Sequence, residues 1–390
     1  MKILPYKTAT SNRKITARAG LTVPAALLER LNLGAIIDQQ MPVPGSNRGY
    51  RHSTLFHTFM LMLHEGAKHL DDIVHLRKDR TLMKLLGFQS IPCSSTLGNW
   101  LRSVGKHRAS RNVLPEVNRQ LLQVSLGTRD QVTLDIDVTV IHTKKKSADR
   151  TYQGQRGLTP MVGHIAETGQ VLHAVLRKGN IPPSARNVEF LQHCIEALPE
   201  GVRVSKFRAD AASDQAAVIN LCREQETRFA IRAKMSQNVR ALIAEIPESE
   251  WQPVVDEDGS VSETEFLART LHTMGETPEA FCLVVQKTRV PRKVKPQNPD
   301  TSAQPEQVEI AMQEQQLNPV DEESAQKDGF IYRAIATDLD REGFSDAEIV
   351  SDGITSVQTA RKIASKNCAV ISVVLICPVV HSEPMRSICT

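Results

Sequence analysis

The stretch that decides the fold is Thr133-Leu-Asp-Ile-Asp-Val-Thr-Val140, in which polar and aliphatic residues alternate strictly. A period of two predicts a β-strand, because successive side chains of a strand point to opposite faces. One face of this strand therefore carries two carboxylates, Asp135 and Asp137. A second predicted strand, over 202–209, runs into Asp210 at the start of a helix. Two acidic strand ends in this order predict a site for Mg²⁺, which prefers oxygen ligands.

The segments around these acids alternate between strand and helix patterns. We predict strands at 131–142, 159–166, 170–178, 202–209 and 228–233, and helices at 186–198 and 213–225. This βββαβαβ order predicts an α/β, ribonuclease-H-like core. Apolar segments beyond Trp251 indicate a β-rich insertion. The segment over 296–326, which is rich in proline and glutamine and has no Lys or Arg, indicates an acidic linker. A last predicted strand follows this linker. The predicted divisions are 1–126, helical; 127–245, core; 246–328, insertion and linker; 329–352, return to the core; and 353–390, an aberrant tail.

The first of these regions is predicted to be all-helical and to bind DNA. Its apolar residues recur at three- and four-residue spacing. It contains 18 Lys/Arg against 7 Asp/Glu, a net of +11, whereas the remaining 264 residues carry −7. A basic region on an otherwise acidic chain is typical of a nucleic-acid-binding surface, and the alternative is a solvated basic face.

A helix-turn-helix is plausible within this region. Ser94-Ser-Thr-Leu-Gly-Asn-Trp-Leu-Arg102 opens with capping residues and follows a helix that ends near Gly87. Its candidates for DNA contact are Asn99 and Arg102. Trp100 is expected to be a core residue rather than a base-stacking one, because Trp is usually buried.

Composition sets the broad class. A chain of 390 residues with 41% hydrophobic content can bury a sizeable core. No 18-residue apolar stretch and no signal-peptide pattern is present, so we expect a soluble protein. The seven scattered cysteines have no paired spacing, which fits the reducing cytoplasm and argues against a zinc site.

Several segments in order resemble the DDE transposases of bacterial insertion sequences, the group-one DDE transposase domain. They include Asp-Ile-Asp-Val-Thr at 135–139, Thr151-Tyr-Gln-Gly-Gln-Arg-Gly157, Gly179-Asn-Ile-Pro-Pro183 and Arg208-Ala-Asp-Ala211. The resemblance implies an Mg²⁺-dependent enzyme, in which Mn²⁺ can substitute, that cleaves and transfers DNA ends. It implies double-stranded DNA, with terminal inverted repeats and a target, as the partner, and a homodimer in a synaptic complex.

The same resemblance assigns roles to the acids. Asp137 corresponds to the first catalytic acid and Asp210 to the second, both as metal ligands, and Asp135 supports them or serves as an alternate ligand. Each acid also has a structural alternative: Asp137 as a turn cap and Asp210 as a helix N-cap. Basic residues near the strand ends are candidates for phosphate contact, with a solvated rim as the alternative. They are Lys144, Lys145, Lys146, Arg156, Arg208, Arg232 and Lys234.

The third acid of the family is missing from its expected place. The family has a Glu after Tyr-x-x-Arg-x-x-x-Glu beyond the last strand, whereas residues 353–390 contain no aromatic residue and three cysteines. Gly353-Ile-Thr-Ser-Val357 can be written GGT ATA ACC AGC GTG, and with a preceding T the adjacent frame reads Trp-Tyr-Asn-Gln-Arg. Continuing in that frame restores the pattern and its Glu. We therefore hypothesise a frameshift near residue 351 that leaves this copy inactive.

Two other functions stay open. One is a non-catalytic DNA-binding remnant that occupies the terminal repeats and blocks transposition. The other is a ribonuclease-H-like nuclease of a different kind. The nucleotide sequence beyond codon 350 discriminates between them, because an intact alternate frame fits a transposase or its remnant.

Overall fold

A computed structural model of the chain describes residues 14–42, 49–106, 110–146, 148–255, 259–289, 329–339 and 345–351. These residues fall into two compact units. Among the described residues, one unit contains the chain up to Gly127 together with His173–Lys178, and the other contains Thr128–Leu172 and the chain from Gly179 to residue 351. No single described helix is long and apolar enough to cross a membrane, although the bent pair Ala19–Arg30 and Leu33–Gln40 passes that test together.

The chain up to Gly127 is helical, as its apolar spacing predicts. Its α-helices are α1 (Thr22–Arg30), α2 (Leu33–Gln40), α3 (His52–His64), α4 (Ile73–Lys78), α5 (Arg80–Leu85), α6 (Ser94–Lys106) and α7 (Ser110–Leu126). Leu55, Phe59 and Met62 follow one face of α3 and are buried in a shared core. Burial of that apolar face, rather than helix propensity, is what stabilises helices of this length.

Trp100 confirms the prediction that it is a core residue. Its side chain is 8% exposed and lies in the helical core. The indole Nε1 donates a hydrogen bond of 2.9 Å to Nδ1 of His52 at the start of α3. The buried polar edge of the indole is thereby satisfied, as buried Trp requires.

The main sheet of the chain is mixed and has nine strands. Its strands are β1 (Gln131–Val138), β5 (Met161–Ile165), β6 (Val171–Val175), β7 (Arg203–Ala209), β8 (Arg228–Arg232), β9 (Gln252–Val255), β10 (Val261–His272), β11 (Phe281–Arg289) and β12 (Phe330–Thr337). They lie in the order β6-β5-β1-β7-β8-β12-β11-β10-β9.

The first five strands in that order form the ribonuclease-H-like core. β5 pairs antiparallel with β1, whereas β7 pairs parallel with β1 and β8 parallel with β7. Parallel neighbours need crossover connections, and these are α8 (Asn187–Ala197) before β7 and α9 (Ala216–Glu224) before β8. The predicted α/β fold is therefore confirmed.

The β-rich insertion does not form a sheet of its own. After α10 (Gln237–Glu245), the strands β9, β10 and β11 continue the main sheet, and the returning β12 lies between β11 and β8. β12 is antiparallel to both of its neighbours. The predicted linker over 296–326 lies outside the described residues.

The first predicted strand is divided into two. β1 ends at Val138, and the chain then enters a three-stranded sheet of β2 (Ile141–His142), β3 (Asp149–Arg150) and β4 (Arg156–Leu158) in the order β2-β4-β3. Gly179 lies against this sheet so closely that an added Cβ would come within 2.5 Å of the carbonyl oxygens of both Asp149 and Gly157. Only glycine permits this approach.

Candidate active site

The two candidate catalytic acids lie at the ends of neighbouring parallel strands. β1 and β7 pair with Asp135 opposite Arg208 and Ile136 opposite Ala209. Asp137 is the next residue of β1, and Asp210 is the next residue after β7. Continuing the register by one residue therefore brings Asp137 and Asp210 side by side at the carboxyl ends of the two strands.

Both acids project from the same face of the sheet. Arg208 contacts the side chain of Asp135, so these two residues share a face. Asp137 lies two residues beyond Asp135 and Asp210 two residues beyond Arg208, and a spacing of two keeps a side chain on its face. This alternation extends to Asp210 because its backbone is still extended, with φ −75° and ψ 178°.

Asp210 also has the structural role that its position predicts. Its Oδ1 accepts a hydrogen bond of 3.0 Å from the backbone N–H of Ala212 and caps the 3₁₀ turn Ala211–Ser213. A carboxylate has about four lone-pair sites, so accepting the Ala212 bond is compatible with binding a cation. Asp137 and Asp210 are each half-buried and thus accessible to a cation.

Asp135 is occupied by another partner. The guanidinium of Arg208 forms a two-bond fork on this carboxylate. Its Nε donates a hydrogen bond of 2.6 Å to Oδ1, and a terminal nitrogen donates one of 2.7 Å to Oδ2. His164 Nε2 lies 3.4 Å from the same Oδ2. Burial acts to raise the pKa of Asp135, but the contacts from His164 and Arg208 outweigh it, so its pKa lies below the usual value.

This pairing changes how two candidates are interpreted. Asp135 is 1% exposed and Arg208 8% exposed. A guanidinium that is buried and engaged with a carboxylate is not placed to contact a DNA phosphate, and a carboxylate enclosed in this way is not placed to bind a cation. We therefore reassign Arg208 from DNA contact, and Asp135 from alternate ligand, to support of the strands behind the acids.

The pair Asp137 and Asp210 suits a divalent cation. Mg²⁺ is commonly held by one or two carboxylates, with water and substrate phosphate oxygens completing its shell. The described part of the chain contains no group of three or more His, Cys, Asp or Glu side chains that could hold a metal ion. Asp137 and Asp210 are a pair of hard oxygen donors of the kind that such a cation prefers.

The basic candidates of the second unit differ in exposure. Lys144, Lys145 and Lys146 follow β2 and are exposed. Arg156 is exposed overall, but its guanidinium donates hydrogen bonds of 3.2 and 2.7 Å to the carbonyl of Ala148, which fixes the small sheet. The lysines keep their ammonium groups at the surface, so they suit phosphate contact best.

Two more basic candidates lie at the end of β8 and just beyond it, and the second of them contacts Asp214, an acid that the sequence pattern did not single out. Arg232 is half-buried, and Lys234 is exposed with Nζ 3.0 Å from the carbonyl oxygen of Asp214. The buried Asp214 carboxylate accepts a 2.7 Å hydrogen bond from the backbone N–H of Lys234. Burial raises the pKa of Asp214. Its position four residues after Asp210 is the one signal that could have marked it.

In the helical unit, α6 carries its predicted DNA contacts on the surface. Asn99 and Arg102 are exposed and joined by a hydrogen bond of 2.6 Å. Cys93 precedes the helix, with its Sγ 3.1 Å from each of the Ser95 and Thr96 hydroxyls. Those hydroxyls lower the pKa of Cys93 to about 6.

The expected position of the third acid lies beyond β12, in the tail outside the described residues. A helix over 346–351 begins beyond β12, and its start is a capping box. Ser345 N–H donates to Glu348 Oε2 at 2.8 Å, and Glu348 N–H donates to Ser345 Oγ at 3.2 Å. The helix therefore has a capped start, whereas the tail over 353–390 lies outside the described residues.

Comparisons with known proteins identify the family of the chain. The family model for the transposase DDE domain, group 1, matches residues 6–302. No curated protein matches the chain. One similar solved structure is the cryo-EM structure of the piggyBac transposase synaptic complex with hairpin DNA, with a TM-score of 0.37 and 10% identity over 90% of this chain and 68% of that one. The family match spans most of the chain, which therefore belongs to the group-one DDE transposases.

Proposed function

We propose that this protein is an insertion-sequence transposase whose Asp137 and Asp210 hold Mg²⁺ for cleavage and transfer of DNA ends. The observation that carries the proposal is the placement of the two carboxylates on one face of adjacent parallel strands. Family membership supports DNA transposition as the reaction, and the donor set supports a hard divalent cation, with Mn²⁺ as a substitute.

The residues of the chain would divide the work. A bound Mg²⁺ would activate the attacking oxygen and stabilise the leaving oxygen of the phosphodiester. Asp137 and Asp210 would hold the cation at the strand ends, and the Asp210 cap would keep its carboxylate oriented. Lys144, Lys145 and Lys146 would neutralise phosphates beside the small sheet.

The proposed partner is double-stranded DNA, first the terminal inverted repeats of the element and then its target. The helical unit would bind the repeats through its net positive charge and through Asn99 and Arg102 on α6. We further propose that the protein acts in the cytoplasm as a homodimer, which the resemblance to its family implies.

This copy is proposed to be inactive because the third acid is out of frame. Without the helix acid, the two strand acids would leave the coordination shell of the cation incomplete. The charge on the leaving oxygen would then be less well stabilised. A chain of this kind would still bind the element ends, so it would behave as a DNA-binding remnant and block transposition.

Restoring the reading frame tests the proposal. Deleting one nucleotide or inserting two near codon 351 would restore Trp-Tyr-Asn-Gln-Arg and the following Glu. The restored chain should cleave and join element ends in Mg²⁺, and its Asp137→Ala variant should not. Cleavage by the chain as it stands, or an alternate frame that lacks the pattern, would refute inactivity by frameshift. Retention of activity by Asp137→Ala would refute the site.

A further inference from the structure

Three charged or titratable residues form one row across three neighbouring strands. Asp135 on β1 lies opposite His164 on β5 and opposite Arg208 on β7. All three side chains are buried, at 1%, 1% and 8% exposure respectively. We call this set, His164, Asp135 and Arg208, the positioning row.

The positioning row is not explained by stability alone. Burying an Arg–Asp pair removes two charges from water, and well-packed apolar residues of similar volume usually stabilise a core as well or better. What such a pair offers beyond apolar packing is direction, because the two parallel hydrogen bonds of a planar guanidinium restrict how the carboxylate can lie. The fork here spans β1 and β7, the two strands that end in the candidate catalytic acids.

The pairing of those two strands is irregular just before the row. Val132 lies opposite Val204, but Thr133 lies opposite Lys206, so β7 has an extra residue at Ser205. A bulge of this kind uncouples the register on its two sides. The first two residue pairs of β1 and β7 therefore cannot set the register of the part that leads to the acids.

A shift in the register of β1 and β7 after the bulge would separate the two acids of the candidate site. Because side chains alternate with a period of two, a slip by one residue moves a whole strand segment to the opposite face. Asp210 would then leave the face that carries Asp137. The acids lie only two residues beyond the row, about 7 Å along the strands at the usual rise per residue.

We propose that the positioning row sets the register of β1 and β7 after the bulge and so holds Asp137 and Asp210 together as a cation site. The Arg208–Asp135 fork supplies the link between the two strands, and His164 confines the carboxylate from the β5 side. The proposal rests on the proposed function, because it takes Asp137 and Asp210 to be the ligand pair.

The test removes the fork without leaving a buried charge. In the full chain, the double variant Asp135→Leu/Arg208→Met replaces the pair by apolar residues, and Arg208→Lys keeps the charge but loses the fork. The matched control is Arg269→Met/Asp346→Leu, which removes another largely buried Arg–Asp pair. Arg269 lies on β10, four strands from β7, or about 19 Å at the usual strand spacing.

Calorimetric titration with MnCl₂, together with thermal unfolding, decides the outcome. We expect the double variant to fold and to bind Mn²⁺ at least tenfold more weakly than the parent. Arg208→Lys should also weaken Mn²⁺ binding, at an unchanged unfolding temperature. The control should bind Mn²⁺ as the parent does. A folded double variant within twofold of the parent affinity would overturn the proposal. If the double variant does not fold, Arg208→Lys decides alone, and unchanged Mn²⁺ affinity in it overturns the proposal.

Two reference variants separate this proposal from the one on which it rests. Asp137→Ala and Asp210→Ala should each weaken Mn²⁺ binding. If both bind Mn²⁺ as the parent does, the ligand pair itself is wrong and the positioning row loses its role. If both weaken binding while the folded row variants do not, the ligand pair stands and only the positioning row is overturned.

Discussion

Replacing Asp210 separates its two roles, because one substitution keeps the cap and another removes it. Asp210→Asn retains a side-chain oxygen that can accept the Ala212 N–H, now 3.0 Å from Oδ1. Asn and Asp are equally good capping residues, whereas Ala at a capped position costs about 1 kcal/mol. We therefore expect Asp210→Asn to have nearly the same free energy of unfolding as the parent. Asp210→Ala should lose about 1 kcal/mol of that free energy.

Metal binding should follow the charge rather than the cap. The neutral amide of Asn is a weaker ligand for a hard cation than a carboxylate. Both variants should thus bind Mn²⁺ at least tenfold more weakly, which corresponds to about 1.4 kcal/mol of binding free energy. If the cap alone determined Mn²⁺ affinity, Asp210→Asn would bind Mn²⁺ as the parent does and only Asp210→Ala would bind it more weakly.

The assay measures both quantities on the same proteins. Urea unfolding in a Trp100→Phe background reports the second unit through Trp251, the remaining tryptophan. Calorimetry with MnCl₂ reports the cation. Parent-like Mn²⁺ affinity in a folded Asp210→Asn variant would show that Asp210 is only a cap and would refute the reasoning.

Four further outcomes are expected. Gly179→Ala should destabilise the protein by about 1–3 kcal/mol in urea unfolding, since the new Cβ meets two backbone oxygens. Trp100→Phe should cost about 1 kcal/mol by the same measurement, because it removes the buried bond to His52. Arg102→Ala should weaken duplex binding for all sequences and reduce the slope of log affinity against log salt by about 1. Iodoacetamide labelling of Cys93, followed by peptide mass spectrometry, should rise through pH 6 and level off above pH 7, because its pKa of about 6 leaves the thiolate dominant there.

Much of the core could be predicted because its signals are local. Strict alternation at 131–138 and the apolar residues of Arg228–Arg232 predicted two strands that the structure confirms. The order of elements then limited the topology, because parallel strands need helical crossovers.

Other features depend on contacts between distant residues and leave no local pattern. Alternation continues past Val138, so nothing in the sequence shows that the chain leaves the main sheet there. Arg208 is of a residue type that commonly contacts DNA phosphates. Only the pairing of β1 with β7 shows that its guanidinium is bound by the Asp135 carboxylate. The insertion strands likewise showed their β character but not that they would extend the main sheet.

The central claim is that Asp137 and Asp210 share one divalent cation. A crystal grown with MnCl₂, measured for anomalous scattering, tests it directly. The account predicts an anomalous peak between the strand ends of β1 and β7, with a carboxylate oxygen from each acid at about 2.1 Å, the distance typical of a small divalent cation. A peak bound by only one of the two acids, or no peak at these strand ends at millimolar Mn²⁺, would contradict it.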